Sequence, residues 1–335
     1  MKRYRCLSLI LAAMLIFGAC GESGGSGSGG DVTAPSSSGG GSSGGGTGGG
    51  SSAASQTSDP DDTRPLREST PVCLVPEASG TDTDGNELAS IDYSHTADGY
   101  IMVDYLGTCE KVKLQITGPN EVTYTYNITN GYAVFPLSSG DGNYTIAVCE
   151  NIEGNRYSIA FKADYSFTGI DEFGPYLHPN QYVNFTASSK CVAKGAELAS
   201  ACHDDLEVVT SVYDYITGNI TYDYEKADTV KSGYIPDVDE ILDLKTGICL
   251  DYAAMMATML RSQQIPTRLE VGYAGEVYHA WISVYIKEVG WLNGIIQFHG
   301  NSWSLVDPTF GANTDDKTLK DYIGDGSNYS TKYIY

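Results

Sequence analysis

A cysteine, a histidine and an aspartate in the second half of the chain have the residue types that thiol acyl-transfer chemistry requires. Cys249 opens an apolar run that predicts a buried helix with its N-terminal end near solvent. Backbone N–H groups and the helix dipole at that end stabilise an anion such as a thiolate. Gly247 leaves room for an approach to the sulfur. Asp251 would disfavour a thiolate, so we expect its carboxylate to point away and to serve the helix end.

A thiolate nucleophile needs a base, and His279 is the best placed of the five histidines. It opens a predicted strand in an aromatic and apolar setting, whereas the others lie in predicted loops, on a helix or at a turn. Alternation along the strand puts His279, Trp281 and Ser283 on one face, from which we expect the imidazole to meet a helix N-terminus packed across the sheet. Asp307 precedes Pro308 at the end of a later predicted strand, where its carboxylate could hold the ring.

Three segments in this order resemble the core motifs of the transglutaminase-like superfamily: residues 247–253, 278–281 and 307–309. The connection over residues 260–268 also resembles the family's helix-to-strand passage, and the similarity spans about residues 204–335. The resemblance implies an α+β fold related to papain-like proteases. It also implies that Cys249 is the nucleophile, His279 the base and Asp307 the residue that orients His279, with no cofactor.

The chemistry implied by this resemblance is acyl transfer through a thioester on peptide or protein substrates. We expect hydrolysis by water, and the alternative is protein cross-linking by an amine acceptor. The oxyanion hole should use the backbone N–H of Cys249 and one upstream donor, with Tyr222 favoured over Asn219 and Tyr224. A cysteine on a buried helix is by itself most often a packing residue, so a non-catalytic surface binding or scaffold protein is the second alternative.

The elements that position these residues are predicted to form an α+β domain over residues 171–335. Helical periodicity indicates a helix from Lys194 to Ile216, a short one from Ile235 to Leu242, and the helix that runs from Cys249 to Leu260. Helices followed by strands are typical of α+β domains. The predicted strands cover residues 268–273, 279–286, 294–298 and 302–306.

Residues 69–170 are predicted to form an all-β, Ig-like sandwich that precedes this domain. Short segments of strand character alternate with turns, at residues 112–116, 122–126, 132–135 and 144–149. They carry no catalytic constellation, so a spacer or binding module is expected. Asp82-Thr83-Asp84-Gly85 resembles part of a calcium loop but lacks the remaining ligands, and we expect no metal site.

The N-terminal residues predict export and anchoring. Residues 1–20 read as a lipoprotein signal peptide, because three basic residues and an apolar run precede Gly18-Ala19-Cys20, which resembles a lipobox with Cys20 as the lipidated residue. Residues 21–68 are rich in Gly and Ser and are predicted to form a disordered tether. The expected location is therefore extracytoplasmic, with Cys20 anchoring the chain to a bacterial cell membrane.

Charge and cysteine usage narrow the function classes. The formal net charge of −22 excludes electrostatic binding to nucleic acid and suits basic partners at the cell envelope. Of the eight cysteines, Cys6 would be removed, Cys20 lipidated and Cys249 kept as a thiol, so the remaining five cannot all pair. The pairings considered are Cys109 with Cys149 and Cys191 with Cys202.

Overall fold

The computed structural model describes residues 63–287, 290–292, 296–299, 302–305 and 329–335, with backbone alone for 296–299 and 302–305. The predicted signal peptide, Cys20, most of the tether and Asp307 lie outside the described residues.

Two antiparallel four-stranded sheets are formed by residues 83–167, which confirms the predicted β-sandwich. One sheet has the strand order β1-β2-β3-β6 and the other β5-β4-β7-β8. Val112, Leu114 and Ile116 alternate with more exposed residues, as expected of a strand with one face in a core. The strands are β1 Thr83–Gly85, β2 Ala89–Asp92, β3 Tyr100–Tyr105, β4 Val112–Thr117, β5 Thr123–Ile128, β6 Ala133–Pro136, β7 Gly142–Glu153 and β8 Arg156–Phe167.

A tyrosine corner closes the turn between β6 and β7. The hydroxyl of Tyr144, at the start of β7, donates to the carbonyl of Gly140 at 2.7 Å. This arrangement is a feature of Ig-like sandwiches, where it holds the chain as it passes from one sheet to the other.

The second part of the chain combines helices with a third antiparallel sheet, as the α+β prediction requires. Its sheet has the strand order β13-β12-β11-β16, and helix α5 packs against β11 and β12. The helices are α1 Lys190–Ala199, α2 Asp205–Asn219, α3 Tyr224–Thr229, α4 Val238–Leu244 and α5 Cys249–Ser262. The strands are β9 Thr221–Tyr222, β10 Thr246–Gly247, β11 Thr267–Ala274, β12 Val277–Ile286, β13 Gly290–Leu292, β14 Ile296–His299, β15 Ser302–Leu305 and β16 Tyr329–Ile334.

The single helix predicted from Lys194 to Ile216 is wrong, because the chain breaks it into α1 and α2. The side chain of Asp204 accepts from the backbone N–H of Glu207 at 2.9 Å and so starts a new helix. An aspartate before an apolar run is a strong N-cap, and here it outweighs the continuous helical periodicity. The short helix expected at 235–242 instead covers Val238–Leu244, because Asp237 caps it.

The two parts of the chain share one continuous apolar core. Tyr335, which pairs with Leu269 at the edge of the third sheet, packs its ring on Tyr126 of the sandwich at 6.0 Å and on Tyr182 of the connecting segment at 4.5 Å. The guanidinium of Arg261, at the end of α5, is fully buried and donates to the carbonyls of Thr267, His178 and Tyr335. These contacts fix helix α5 relative to the sheet.

Residues 64–72, here called the N-terminal strap, cross the helical part before the sandwich begins. The backbone N–H of Arg67 donates to the carbonyl of Cys202, and that of Val72 donates to Ser262 at the end of α5, both at 2.8 Å. The guanidinium of Arg67 binds Asp205 at 2.5 Å and also the backbone carbonyl of Gln263. The strap therefore lies at the C-terminal end of helix α5.

Candidate functional site

Cys249 is the first residue of helix α5 and is half-buried, whereas residues 250–262 of that helix are all buried. The predicted buried helix with an accessible start is therefore confirmed. The backbone N–H groups of the first turn point toward the N-terminal end of a helix, so Cys249 lies at the positive end of the helix dipole.

Asp251 lies two residues further on and turns its carboxylate toward the helix end. Its Oδ2 accepts from the backbone N–H of Ile248 at 2.9 Å and from Nζ of Lys226 at 2.6 Å. Its Oδ1 accepts from the hydroxyl of Tyr234 at 2.7 Å. The carboxylate has no solvent exposure. The expectation that Asp251 serves the helix end is confirmed, and Lys226 supplies the compensating charge.

The side chain of Asp251 leaves no room for a side chain at residue 247, which explains the glycine there. A Cβ on Gly247 would lie 2.8 Å from Cβ and 3.0 Å from Oδ2 of Asp251, closer than van der Waals contact allows. We predicted that the glycine leaves room for an approach to the sulfur. The described contacts give it a different neighbour, the carboxylate that caps the helix.

Strands β9 and β10 bring the segment upstream of Cys249 beside Tyr222. Tyr222 pairs in parallel with Gly247, and its ring lies 6.4 Å from that of Tyr252 in the first turns of α5. The side chain of Asn219 instead donates to the carbonyl of Tyr215 on its own helix, at 2.8 Å. Of these two oxyanion candidates, Tyr222 is the one whose strand contacts the approach to Cys249, and its role stays a prediction.

His279 is buried near the start of β12, opposite Gly272 of β11. Ala280, Ile282 and Val284 of the same strand belong to the apolar core that contains α5. Because side chains alternate along a strand, His279 shares the other face with Trp281 and Ser283. The expectation that the imidazole meets the start of α5 stays a prediction. The first face, with Ala280, Ile282 and Val284, completes the apolar core.

The face of His279 holds aromatic and polar groups. The imidazole stacks with the ring of Trp281 at 6.4 Å between centroids, and Trp281 meets Tyr329 edge-on at 4.9 Å. Next to them, Glu270 is a buried carboxylate that accepts from the hydroxyls of Ser283 at 2.5 Å and Thr331 at 2.6 Å.

Tyr278, the neighbour of His279, links the start of β12 to the start of α5. Burial raises the pKa of the Tyr278 phenol, and the nearby tyrosines 333, 273 and 182, together with Cys249, raise it further. Cys249 is thus among the groups near the phenol of Tyr278, the residue beside His279. The two predicted site residues lie on elements that pack together, while Asp307 lies outside the described residues.

Residues 193–294 match the family model described as the transglutaminase-like superfamily. This chain contains a transglutaminase-like domain. The matched segment includes Cys249 and His279 and ends before Asp307.

Curated relatives match the chain over parts of their length. The uncharacterized protein YebA of Bacillus subtilis is 32% identical over 111 residues, which are 27% of this chain and 15% of that protein. A protein-glutamine gamma-glutamyltransferase of Pseudomonas aeruginosa is 31% identical over 86 residues, which are 22% of this chain and 11% of that protein. The chain therefore spans well under two thirds of the length of either relative. Among solved structures, the periplasmic domain of TgpA from Pseudomonas aeruginosa is similar with a TM-score of 0.32 and 17% identity, covering 71% of this chain and 78% of that one.

Sequence reasoning missed the partners of the helix cap in the transglutaminase-like domain. Lys226 and Tyr234 lie on α3 and in the loop before α4, and neither the short helix nor the contact with Asp251 was predicted. Asp223 was the available signal for α3, because its side chain caps the helix by accepting from the N–H of Lys226 at 2.8 Å. Burial, then the charge of Asp251, raises the pKa of Tyr234, so its hydroxyl stays a donor.

The six cysteines within the described residues are all free thiols. Neither of the two pairings considered is formed: Cys191 donates to the carbonyl of Met255 and Cys202 to that of Leu198, while Cys109 contacts the carbonyl of Lys111. Burial raises the pKa of four of these thiols, to about 11 for Cys202. The other three are Cys73, Cys149 and Cys191.

In the part of the chain that the structure covers, no helix has the length and apolar character needed to cross a membrane. Among the same residues, no group of three or more His, Cys, Asp or Glu side chains is arranged to hold a metal ion.

Proposed function

We propose that the transglutaminase-like domain performs thiol acyl transfer on peptide or protein substrates, with Cys249 as nucleophile, His279 as base and Asp307 as the residue that orients His279. The observation that carries the proposal is the placement of Cys249 as the half-exposed first residue of a helix that is otherwise buried. A thiol in that position is accessible and lies at the positive end of the helix dipole, which favours a thiolate nucleophile.

In the proposed reaction the sulfur of Cys249 attacks a carboxamide or peptide carbonyl carbon, and His279 accepts the thiol proton. The carbonyl oxygen becomes an oxyanion that the backbone N–H of Cys249 and the Tyr222 side chain would stabilise. When the tetrahedral intermediate collapses, the C–N bond breaks and His279 returns its proton to the leaving amine or ammonia. The thioester that remains is then cleaved by an acceptor.

The acceptor decides between two outcomes, and we propose water, which makes the protein a cysteine-peptidase-like hydrolase. Water is present at any site with a half-exposed thiol, and nothing among the described residues defines a separate amine site. Cross-linking is the second candidate, because a relative that matches this chain over 86 residues is named a protein-glutamine gamma-glutamyltransferase.

Selective alkylation tests the proposed nucleophile. At neutral pH, iodoacetamide should modify Cys249 faster than Cys73, Cys149, Cys191 and Cys202, because burial raises the pKa of those four thiols. His279→Ala should remove the advantage of Cys249, and His203→Ala, a histidine of the loop before α2, should leave it intact. Equal and slow labelling of all thiols in the wild-type protein would support a non-catalytic scaffold instead.

A second experiment separates hydrolysis from transfer. The protein is incubated with a glutamine-containing peptide and a labelled primary amine, and the products are identified by mass spectrometry. Hydrolysis predicts the free acid or a cleaved peptide, each without the label. Incorporation of the amine would establish cross-linking, and Cys249→Ser should abolish either product.

We further propose that the protein acts outside the cytoplasm, anchored by a lipid on Cys20. Support comes from the lipobox-like Gly18-Ala19-Cys20 after an apolar run and from the Gly/Ser-rich segment that follows. Labelled palmitate should enter the full-length chain in its bacterial host, and Cys20→Ala should prevent this and release the protein from the membrane fraction. Labelling that persists in Cys20→Ala contradicts the assignment.

A further inference from the structure

Three donors from separate parts of the chain converge on the carboxylate of Asp251. They are the backbone N–H of Ile248, the ammonium of Lys226 and the hydroxyl of Tyr234. Lys226 also donates to the Tyr234 hydroxyl at 2.6 Å and lies 4.4 Å from the centre of its ring. Both oxygens of this buried carboxylate therefore accept hydrogen bonds.

The placement of Lys226 does not follow from core packing. Helix α3, which carries it, has six residues and none of them is buried. A short helix of this kind gains little from apolar burial, so its contact with Asp251 is one of the interactions that hold it against the start of α5. The side chain of Lys226 is 28% exposed, and its ammonium binds a carboxylate that is fully buried.

We expect the charge of Asp251 to act on the thiol. The carboxylate lies in the same helical turn as Cys249, and a nearby negative charge opposes the formation of a thiolate. The ammonium of Lys226 at 2.6 Å compensates that charge. The hydrogen bond from the N–H of Ile248 to the same carboxylate also fixes the residue that precedes Cys249. The N–H of Cys249 is itself the proposed oxyanion donor.

We infer that Lys226 and Tyr234 are positioning residues for Cys249: Lys226 compensates the charge of Asp251 beside the thiol, and Tyr234 holds that carboxylate against the start of the helix. The inference rests on the proposed nucleophile and specifies what regulates its reactivity. Other ionisable groups surround this helix end and stay unchanged in the variants below. They are Tyr278 and His279 on β12, and Asp237 and Glu240, which act on Tyr234 from its other side.

The test measures the rate at which iodoacetamide alkylates Cys249, resolved by mass spectrometry, across a range of pH. Lys226→Met should slow alkylation at pH 7 by about tenfold and move the midpoint of the pH profile up by about one unit, because an uncompensated carboxylate remains beside the sulfur. Tyr234→Phe should slow it less, since the charge pair survives. Lys190→Met, which removes a lysine from an exposed ion pair with Asp243, should change neither quantity.

A double variant separates the electrostatic role from a merely structural one. In Lys226→Met/Asp251→Asn both charges are absent, so the alkylation rate should recover to within about threefold of wild type and the midpoint should return. A structural role predicts that the double variant is at least as slow as Lys226→Met.

Two results would overturn the inference: a wild-type midpoint in Lys226→Met, or a double variant that is no faster than the single one. Failure of the proposed function gives a different result: iodoacetamide would then alkylate Cys249 of the wild-type protein no faster than Cys109. The ratios between variants would still decide the roles of Lys226 and Tyr234.

Discussion

Replacing Gly247 by alanine should destabilise the protein through a single clash at the start of helix α5. The added Cβ would lie 2.8 Å from Cβ of Asp251. That atom cannot yield easily, because the carboxylate it carries is held by Ile248, Lys226 and Tyr234. Overpacking of a rigid site costs about 1–3 kcal/mol of unfolding free energy. At about 2–4 °C per kcal/mol, Tm should fall by at least about 2 °C.

Gly218 provides the matched control for this substitution. It lies within helix α2, and a Cβ there would meet nothing within 4 Å. Gly218→Ala should therefore raise the unfolding free energy by about 0.5–1 kcal/mol, since alanine loses less backbone entropy in a helix. Both variants are measured by thermal and urea unfolding followed by circular dichroism. A Gly247→Ala protein as stable as wild type, alongside a stabilised Gly218→Ala, would refute the account of the glycine.

Two further predictions concern the framework around the site. Arg261→Met should lower the unfolding free energy by about 3 kcal/mol or more in urea titrations, because three backbone carbonyls lose the hydrogen bonds of a buried guanidinium. Arg156→Met removes an exposed ion pair and should change the unfolding free energy by less than about 0.5 kcal/mol. Equal effects of the two substitutions would contradict this. The carboxylate of Asp141 accepts hydrogen bonds from the N–H groups of Gly169 and Ile170, which lower its pKa in the folded state. Its stabilisation of the fold is therefore complete above the ordinary aspartate pKa of about 4, and it is lost as the pH falls through the lower pKa of the folded state. The stability gap between wild type and Asp141→Ala should therefore narrow in acid, and a gap that widens there would contradict the assignment.

Local patterns in the sequence predicted the elements that carry the site. The apolar run after Cys249 and the alternation around His279 are each strong enough to define a helix and a strand, and the structure has them at Cys249–Ser262 and Val277–Ile286. The role of Asp251 also followed from residue type, because a carboxylate at the third helical position can accept the N–H that precedes the helix.

The missed features depend on contacts between residues far apart in the chain. Nothing local to Lys226 indicates that its ammonium reaches Asp251, and nothing near Tyr329 indicates that the last strand pairs with β11. The same holds for the strand of His279. Alternation defines two faces of a strand, and the packing partner decides which of them meets the helix.

The N-terminal strap determines how mechanical load would enter the molecule. It is fixed by Arg67 and Val72 to the C-terminal end of helix α5, and this helix of 14 residues separates that point from Cys249 by about 20 Å. Tension on the preceding chain would pass through the Arg67 clamp into the end of the helix remote from the thiol. If the chain is held from that side, the end of helix α5 that carries Cys249 is the end remote from the point of attachment.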